Sequence, residues 1–104
     1  MEHMLETMDS PLPSRALVSP ELLELMEYDR QAGTQYFETI RAYLRNERDI
    51  PKTAEALIIH RTTLLYRLKK IRSMLHVNLD DPDQRLYLNL SLWILEKEEH
   101  LALP

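Results

Sequence analysis

The stretch from His60 to Arg72 contains side chains suited to contact with a nucleic acid. It holds five basic residues and no acidic one: Arg61, Arg67, Lys69, Lys70 and Arg72. Two threonines and a tyrosine lie among them: Thr62, Thr63 and Tyr66. Arginine pairs well with guanine, threonine can contact the thymine methyl group, and lysine neutralises phosphate. This combination predicts contact with double-stranded DNA.

Apolar spacing indicates the helix that positions these side chains. Leu64, Leu68, Ile71 and Leu75 recur at i, i+4, i+7 and i+11, which is one continuous stripe of a helix beginning near His60. Because the stripe is apolar, we expect it to face the core and the basic side chains to face outward.

A short helix precedes this basic helix. Asp49 is a capping residue with Pro51 in the first turn, and the apolar positions are Ala54, Leu57 and Ile58. A short helix, a tight turn and a longer basic helix predict a helix-turn-helix at about residues 50–72, with a recognition helix at about 60–73.

The residue types in and around the predicted turn between these two helices each have a physical reason. Ala54 is small, so the second helix can cross close by, while Leu57 anchors the first helix and Ile59 plugs the turn. Many such turns have Gly directly after the Leu, where this chain has Ile58. The turn must therefore form without a residue that adopts the left-handed conformation easily.

In a helix-turn-helix, residues near the start of the second helix contact base edges in the major groove, and others contact phosphates. The residues assigned to base contacts are Arg61, Thr62, Thr63, Tyr66 and Arg67. The residues assigned to phosphate contacts are Lys52, His60, Lys69, Lys70 and Arg72, with His60 also a candidate helix cap. Arg41, Arg45 and Arg48 are expected to extend the contact along the DNA backbone.

Two further helices are predicted before the helix-turn-helix. Ser19 and Pro20 begin the first, which ends before the single glycine, Gly33. Thr34 is expected to cap the second, which should end near Glu47. Residues 1–18 show no clear period and are interpreted as a linker or disordered segment, and the domain is placed at residues 19–100.

The predicted last helix, about 82–98, begins at Asp81 and Pro82 and is apolar on all sides. Such a helix is buried on several sides or faces a second subunit, so it is our candidate dimer element. Trp93 is expected in the core, with an interface as the alternative. The chain is thus expected to be an all-α domain of about five helices that acts as a homodimer on two half-sites roughly 34 Å apart.

Composition excludes several other classes. The chain of 104 residues has no cysteine and one glycine, which argues against thiolate sites and phosphate-binding loops. Its four histidines include no i, i+4 pair, so no metal or cofactor is expected. No apolar run could span a membrane and no secretory signal is visible, so we expect a cytoplasmic location. No cluster of acids, bases or nucleophiles suggests an enzyme.

Net charge alone would argue against nucleic acid, because it is −4. However, residues 41–72 contain nine Lys or Arg against three acidic residues, which leaves four basic and fourteen acidic residues elsewhere. A basic centre between acidic ends is typical of a local nucleic-acid contact.

The chain resembles the C-terminal DNA-binding domain of PucR/CdaR-type bacterial transcriptional regulators. The most specific part is the block from His60 to Ile71, and looser matches are Tyr28-Asp29, 39–44, 53–57, Pro82 and 85–88. The resemblance implies a helix-turn-helix activator or repressor domain that follows an N-terminal sensory region in full-length relatives. The family usually has Asn where this chain has Thr62, and only Asn can pair with adenine through two hydrogen bonds.

A second hypothesis remains open: a helical dimerisation or protein-interaction module built on the same scaffold. The acidic ends and the apolar last helix favour it. The two hypotheses differ in what they predict for Arg61→Ala and Arg67→Ala, which would weaken DNA binding in the first and change nothing in the second.

Overall fold

The computed structural model describes residues 16–102, with side chains to residue 98, and this part of the chain forms five α-helices and no strand. The helices are α1 (Pro20–Ala32), α2 (Tyr36–Arg45), α3 (Ile50–Leu57), α4 (Arg61–Leu75) and α5 (Pro82–Ala102). The predicted all-α class is therefore confirmed. Most of the predicted linker, residues 1–15, lies outside the described residues. None of the described helices is both long enough and apolar enough to cross a bilayer.

Three helices begin where the sequence predicts, and for the predicted reason. Each has a capping side chain that accepts a hydrogen bond from a backbone N–H of the first turn, with proline next to the cap or one residue further. The caps are Ser19, Asp49 and Asp81, with donor–acceptor distances of 3.4, 2.9 and 2.9 Å.

The predicted cap of α2 is wrong. Gln35 occupies the N-cap position without a side-chain hydrogen bond, and Thr34 donates its hydroxyl to Asp29 at 2.5 Å. The carboxylate of Asp29, from the last turns of α1, accepts the backbone N–H groups of Tyr36 at 3.0 Å and Phe37 at 2.8 Å. A side chain of the preceding helix therefore satisfies the free N–H groups of α2 and fixes the α1–α2 corner.

The predicted stripe of α4 forms the centre of the core. Leu64, Leu68, Ile71 and Leu75 are all buried, and they pack with apolar side chains of α1 and α2. Burial of one such side chain contributes roughly 1.5–3 kcal/mol. The stripe thus fixes the rotation of α4 about its own axis and determines which side chains face outward.

The inner face of α5 closes the core and joins it to the N-terminal side of the domain. Leu88, Leu92 and Ser91 are buried, and the Ser91 hydroxyl accepts the backbone N–H of Ser19 at 2.9 Å. Val18 is buried as well, so the core includes a residue that was predicted to belong to the linker.

The opposite face of α5 is apolar and lies in solvent. Leu86, Leu90 and Trp93 keep 67%, 47% and 55% of their surface exposed. The expectation that Trp93 is a core residue is therefore wrong. The reason is the helix register, because Leu88, Leu92 and Leu95 already occupy the side that faces the core.

Candidate nucleic-acid interface

The turn between α3 and α4 is closed by backbone hydrogen bonds. Ile58 adopts the left-handed conformation (φ 56°, ψ 50°), its N–H donates to the Glu55 carbonyl at 3.1 Å, and the Ile59 N–H donates to Ala54 at 3.0 Å. Ile59 is partly buried against the core, as predicted for the residue that plugs the turn. Ile58 projects into solvent with 90% of its surface exposed. A β-branched residue thus takes the conformation that glycine adopts most easily.

His60 caps α4, the predicted recognition helix. Its Nδ1 accepts the backbone N–H of Thr62 at 3.2 Å and lies 2.9 Å from the Thr62 hydroxyl. Because Nδ1 is the acceptor, the proton of the neutral ring is assigned to Nε2. The predicted capping role is confirmed. The ring is exposed, and its Nε2–H is free to donate to an outside acceptor such as a phosphate. The contact between His60 and a DNA phosphate stays a prediction.

The outward face of α4 carries most of the predicted contact residues. At about 100° per residue, five of them lie within about 70° of the line opposite the buried stripe, and all five are exposed. These residues are Thr62, Thr63, Tyr66, Lys69 and Lys70. The face is polar and basic and contains no acidic group.

One flank of this face carries Arg61, Leu65 and Arg72, all exposed. The Arg72 guanidinium reaches back to the Tyr43 hydroxyl on α2, at 3.4 Å. Leu65, 46% exposed, is a contact candidate that the sequence reasoning missed. The signal was present, because Leu65 lies outside the i, i+4, i+7 stripe that begins at Leu64.

The Arg67 side chain is less exposed than predicted. It is half-buried on the other flank of α4, and its Nη1 donates to the hydroxyl of Thr39 on α2 at 3.1 Å. Thr39 is fully buried and donates in turn to the Gln35 carbonyl at 2.7 Å. The expectation that Arg67 lies freely on the outer face is therefore wrong, since one of its N–H groups joins α4 to α2. A guanidinium has five N–H donors, so others remain for a further partner.

Aromatic side chains border the outward face. Tyr36 is buried, and its ring stacks on Tyr28 with centroids 5.9 Å apart and planes 8° from parallel. Burial raises the pKa of Tyr36, and the neighbouring hydroxyls of Tyr66 and Tyr28 raise it further. Tyr66 is exposed on the outward face and lies near enough to Tyr36 to influence its pKa.

The arginines before the helix-turn-helix are engaged in ion pairs. Arg41 and Arg45 both pair with Glu96 of α5, and Arg48 pairs with Asp80 at 2.9 Å. The prediction that they extend a DNA backbone contact is not supported, because acidic groups already compensate their charge. Lys52, on α3, is exposed and has no ion pair among the described residues. Positive charge is therefore concentrated on α4, which has five basic residues and no acidic one, whereas Lys52 shares α3 with Glu55.

Comparison with known proteins identifies a protein family whose matched region includes α3 and α4. The profile of the PucR C-terminal helix-turn-helix domain matches residues 36–94. The chain is 35% identical over 78 residues to the proline-responsive transcriptional activator PutR of Bacillus subtilis (strain 168), which covers 75% of this chain and 19% of that protein. It is 33% identical over 70 residues to the purine catabolism regulatory protein of the same organism, which covers 67% of this chain and 13% of the relative.

A third similar protein is the DNA-binding transcriptional activator AdeR of Bacillus subtilis (strain 168), 30% identical over 73 residues, with 68% of this chain and 17% of the relative covered. The chain thus spans about a fifth or less of the length of these three relatives. No solved structure matches the chain.

Proposed function

Since the chain belongs to the PucR C-terminal helix-turn-helix domain family, and is by that membership a DNA-binding module of transcription regulation, we propose that it inserts the N-terminal half of α4 into the major groove. The supporting observation is the outward face of α4, which is basic, free of acidic groups and held by a buried leucine stripe. An α-helix of this kind fits the major groove, where side chains near its start reach base edges.

The proposed contacts divide by position on α4. Base edges are assigned to Arg61, Thr62, Thr63 and Tyr66, with Leu65 added as an apolar partner for a thymine methyl group and Arg67 acting through the N–H groups that Thr39 leaves unused. Phosphates are assigned to Lys52, His60, Lys69, Lys70 and Arg72. These assignments rest on residue type and, for all of these residues except half-buried Arg67, on exposure.

We also propose that the domain acts as a homodimer on two half-sites roughly 34 Å apart, because one helix in one groove gives modest affinity. The short coverage of the relatives supports a full-length regulator that includes an N-terminal sensory region. Its proposed role is binding rather than catalysis, and its proposed location is the cytoplasm, where bacterial DNA is accessible.

The relatives share this segment while their names refer to different processes, the response to proline in one and purine catabolism in another. We infer that the segment supplies DNA binding, and that the inducer is recognised outside it.

The test begins with selection of bound duplexes from a random pool. A defined, near-palindromic site is expected. Arg61→Ala should then weaken binding to that site about tenfold or more, as loss of a base contact does. Arg30→Ala is the matched control, because Arg30 is equally a surface arginine of the domain but lies on α1. No enriched site, or equal affinities for the two variants, would overturn the proposal.

A further inference from the structure

The exposed face of α5 has the pattern of a helix-pairing surface. Its side chains recur at spacings of three and four residues: Asp83, Leu86, Leu90, Trp93 and Lys97. They lie within about 80° of one another around the helix axis, opposite the side chains that face the core. This alternation of three and four is the spacing of a coiled-coil seam, here over two heptads. We call these five residues the α5 seam.

The seam carries opposite charges at its two ends. Asp83 precedes Leu86 by one turn and Lys97 follows Trp93 by one turn, with the two charged positions about 21 Å apart along the helix. Neither side chain forms an ion pair within the described part of the chain, although the Lys97 ammonium lies over the Trp93 ring, 5.3 Å from its centroid. The seam is thus apolar in the middle, acidic at its start and basic at its end.

Two copies of the α5 seam have complementary charges only when they pair in antiparallel orientation. When two copies pair in antiparallel fashion about Leu90, Asp83 of each faces Lys97 of the other, and Leu86 faces Trp93. A parallel pair would instead place like charges opposite each other at both ends, which is unfavourable. The antiparallel pair also sets the helix dipoles in opposition.

We propose that the α5 seam is the dimer interface of this domain and that a second copy of the chain pairs with it in antiparallel orientation. The inference rests on the homodimer of the proposed function and adds its surface and its symmetry. A two-fold axis through Leu90 relates the copies, so the same patch is used twice. The seam spans only fifteen residues, so we expect a weak, concentration-dependent dimer in the absence of DNA.

Disulfide trapping tests the orientation, and the absence of native cysteine makes it direct. Asp83→Cys mixed with Lys97→Cys should give a mixed disulfide, whereas Asp83→Cys alone should give none. Leu90→Cys should link to itself, and Leu17→Cys, another exposed leucine but outside α5, should stay unlinked. A self-linked Asp83→Cys would show a parallel pair and overturn the proposal.

Sedimentation equilibrium of the DNA-free domain, up to about 0.5 mM, tests the surface itself. Leu90→Glu should abolish dimerisation, while Leu17→Glu, which adds the same charge to a leucine 61% exposed, should not change it. Lys97→Glu should weaken the dimer about 2- to 30-fold, because the charge pair occurs twice, and adding Asp83→Lys should restore it. Melting temperatures of all variants show that they fold.

The outcomes separate this inference from DNA binding. A wild-type domain that stays monomeric at the highest concentration, or a Leu90→Glu variant that still dimerises, overturns the α5 interface even when the domain binds its duplex. A dimer with the expected disulfides supports the interface even when no DNA site is found.

Discussion

Arg67 has a structural role that its place in a basic helix does not reveal. Its guanidinium donates to buried Thr39 and so joins α4 to α2. We expect Arg67→Ala to lower the free energy of unfolding by about 1 kcal/mol, the usual net value of such a bond. Arg61→Ala, on the exposed flank of the same helix, should change it by less than about 0.5 kcal/mol. Urea denaturation measures both values.

A double-mutant cycle isolates the bond between these two side chains. Thr39→Val removes the acceptor hydroxyl with little change in shape and leaves the exposed side chains of α4 in place. If Arg67→Ala and Thr39→Val have strictly additive effects, the two side chains do not interact in solution and the structural role is wrong.

Ile58 has a left-handed backbone conformation that lowers the stability of the domain by a measurable amount. A β-branched residue with φ 56° is strained by about 1–2 kcal/mol relative to glycine, and its exposed side chain makes few contacts that compensate. We expect Ile58→Gly to raise the free energy of unfolding by about 1 kcal/mol and Ile58→Ala to raise it less. Thermal melts of the three proteins give the order, and a Gly variant that melts below the wild type would contradict it.

Helix boundaries and buried faces could be predicted from the sequence where neighbouring residues along the chain determine them. Ser19, Asp49 and Asp81 cap helices within their own first turns, and the spacing of Leu64 and Leu68 alone determines the buried side of α4. Features that depend on a distant partner could not be predicted in this way. Asp29 caps a helix that begins seven residues later, and Thr39 turns Arg67 away from solvent, so both depend on how α1, α2 and α4 pack.

The α1–α2 corner depends on the carboxylate of Asp29. This side chain accepts two backbone N–H groups of α2 and the hydroxyl of Thr34. We expect Asp29→Ala to lower the free energy of unfolding by about 1–2 kcal/mol, the cost of losing a helix cap with its partners left unsatisfied. Asp29→Asn should lose less, because its single carbonyl oxygen still accepts. Thr34→Ala is the control and should cost least, and a larger loss there than in Asp29→Ala would show that Thr34 is the true cap.

Basic and acidic residues lie in different parts of the molecule, so a protein of net charge −4 can still bind DNA. Glu96 and Asp80 compensate arginines of α2 and the following turn, whereas the cations of α4 have no acidic partner among the described residues. We therefore expect the attraction for DNA to be local to α4, and the overall acidity to oppose it only weakly at physiological ionic strength, where the Debye length is about 8 Å.

This distribution predicts the salt dependence of binding. Lys69→Gln together with Lys70→Gln should make the slope of log affinity against log salt shallower by about 1.8 per domain, which corresponds to two phosphate contacts. Arg30→Gln should leave the slope unchanged. Anisotropy titrations between 50 and 200 mM salt give these slopes, and an unchanged slope in the double variant would place the phosphates elsewhere.

The buried hydrogen bond between the Ser19 backbone and Ser91 has a mechanical consequence. It fastens the polypeptide that leads into the domain to the middle of its longest helix. Tension that withdraws Val18 and Ser19 from their sites would leave the Ser91 hydroxyl without this donor and remove an apolar side chain from the core. The polypeptide before α1 and the C-terminal helix are thus coupled directly, by a contact inside the core.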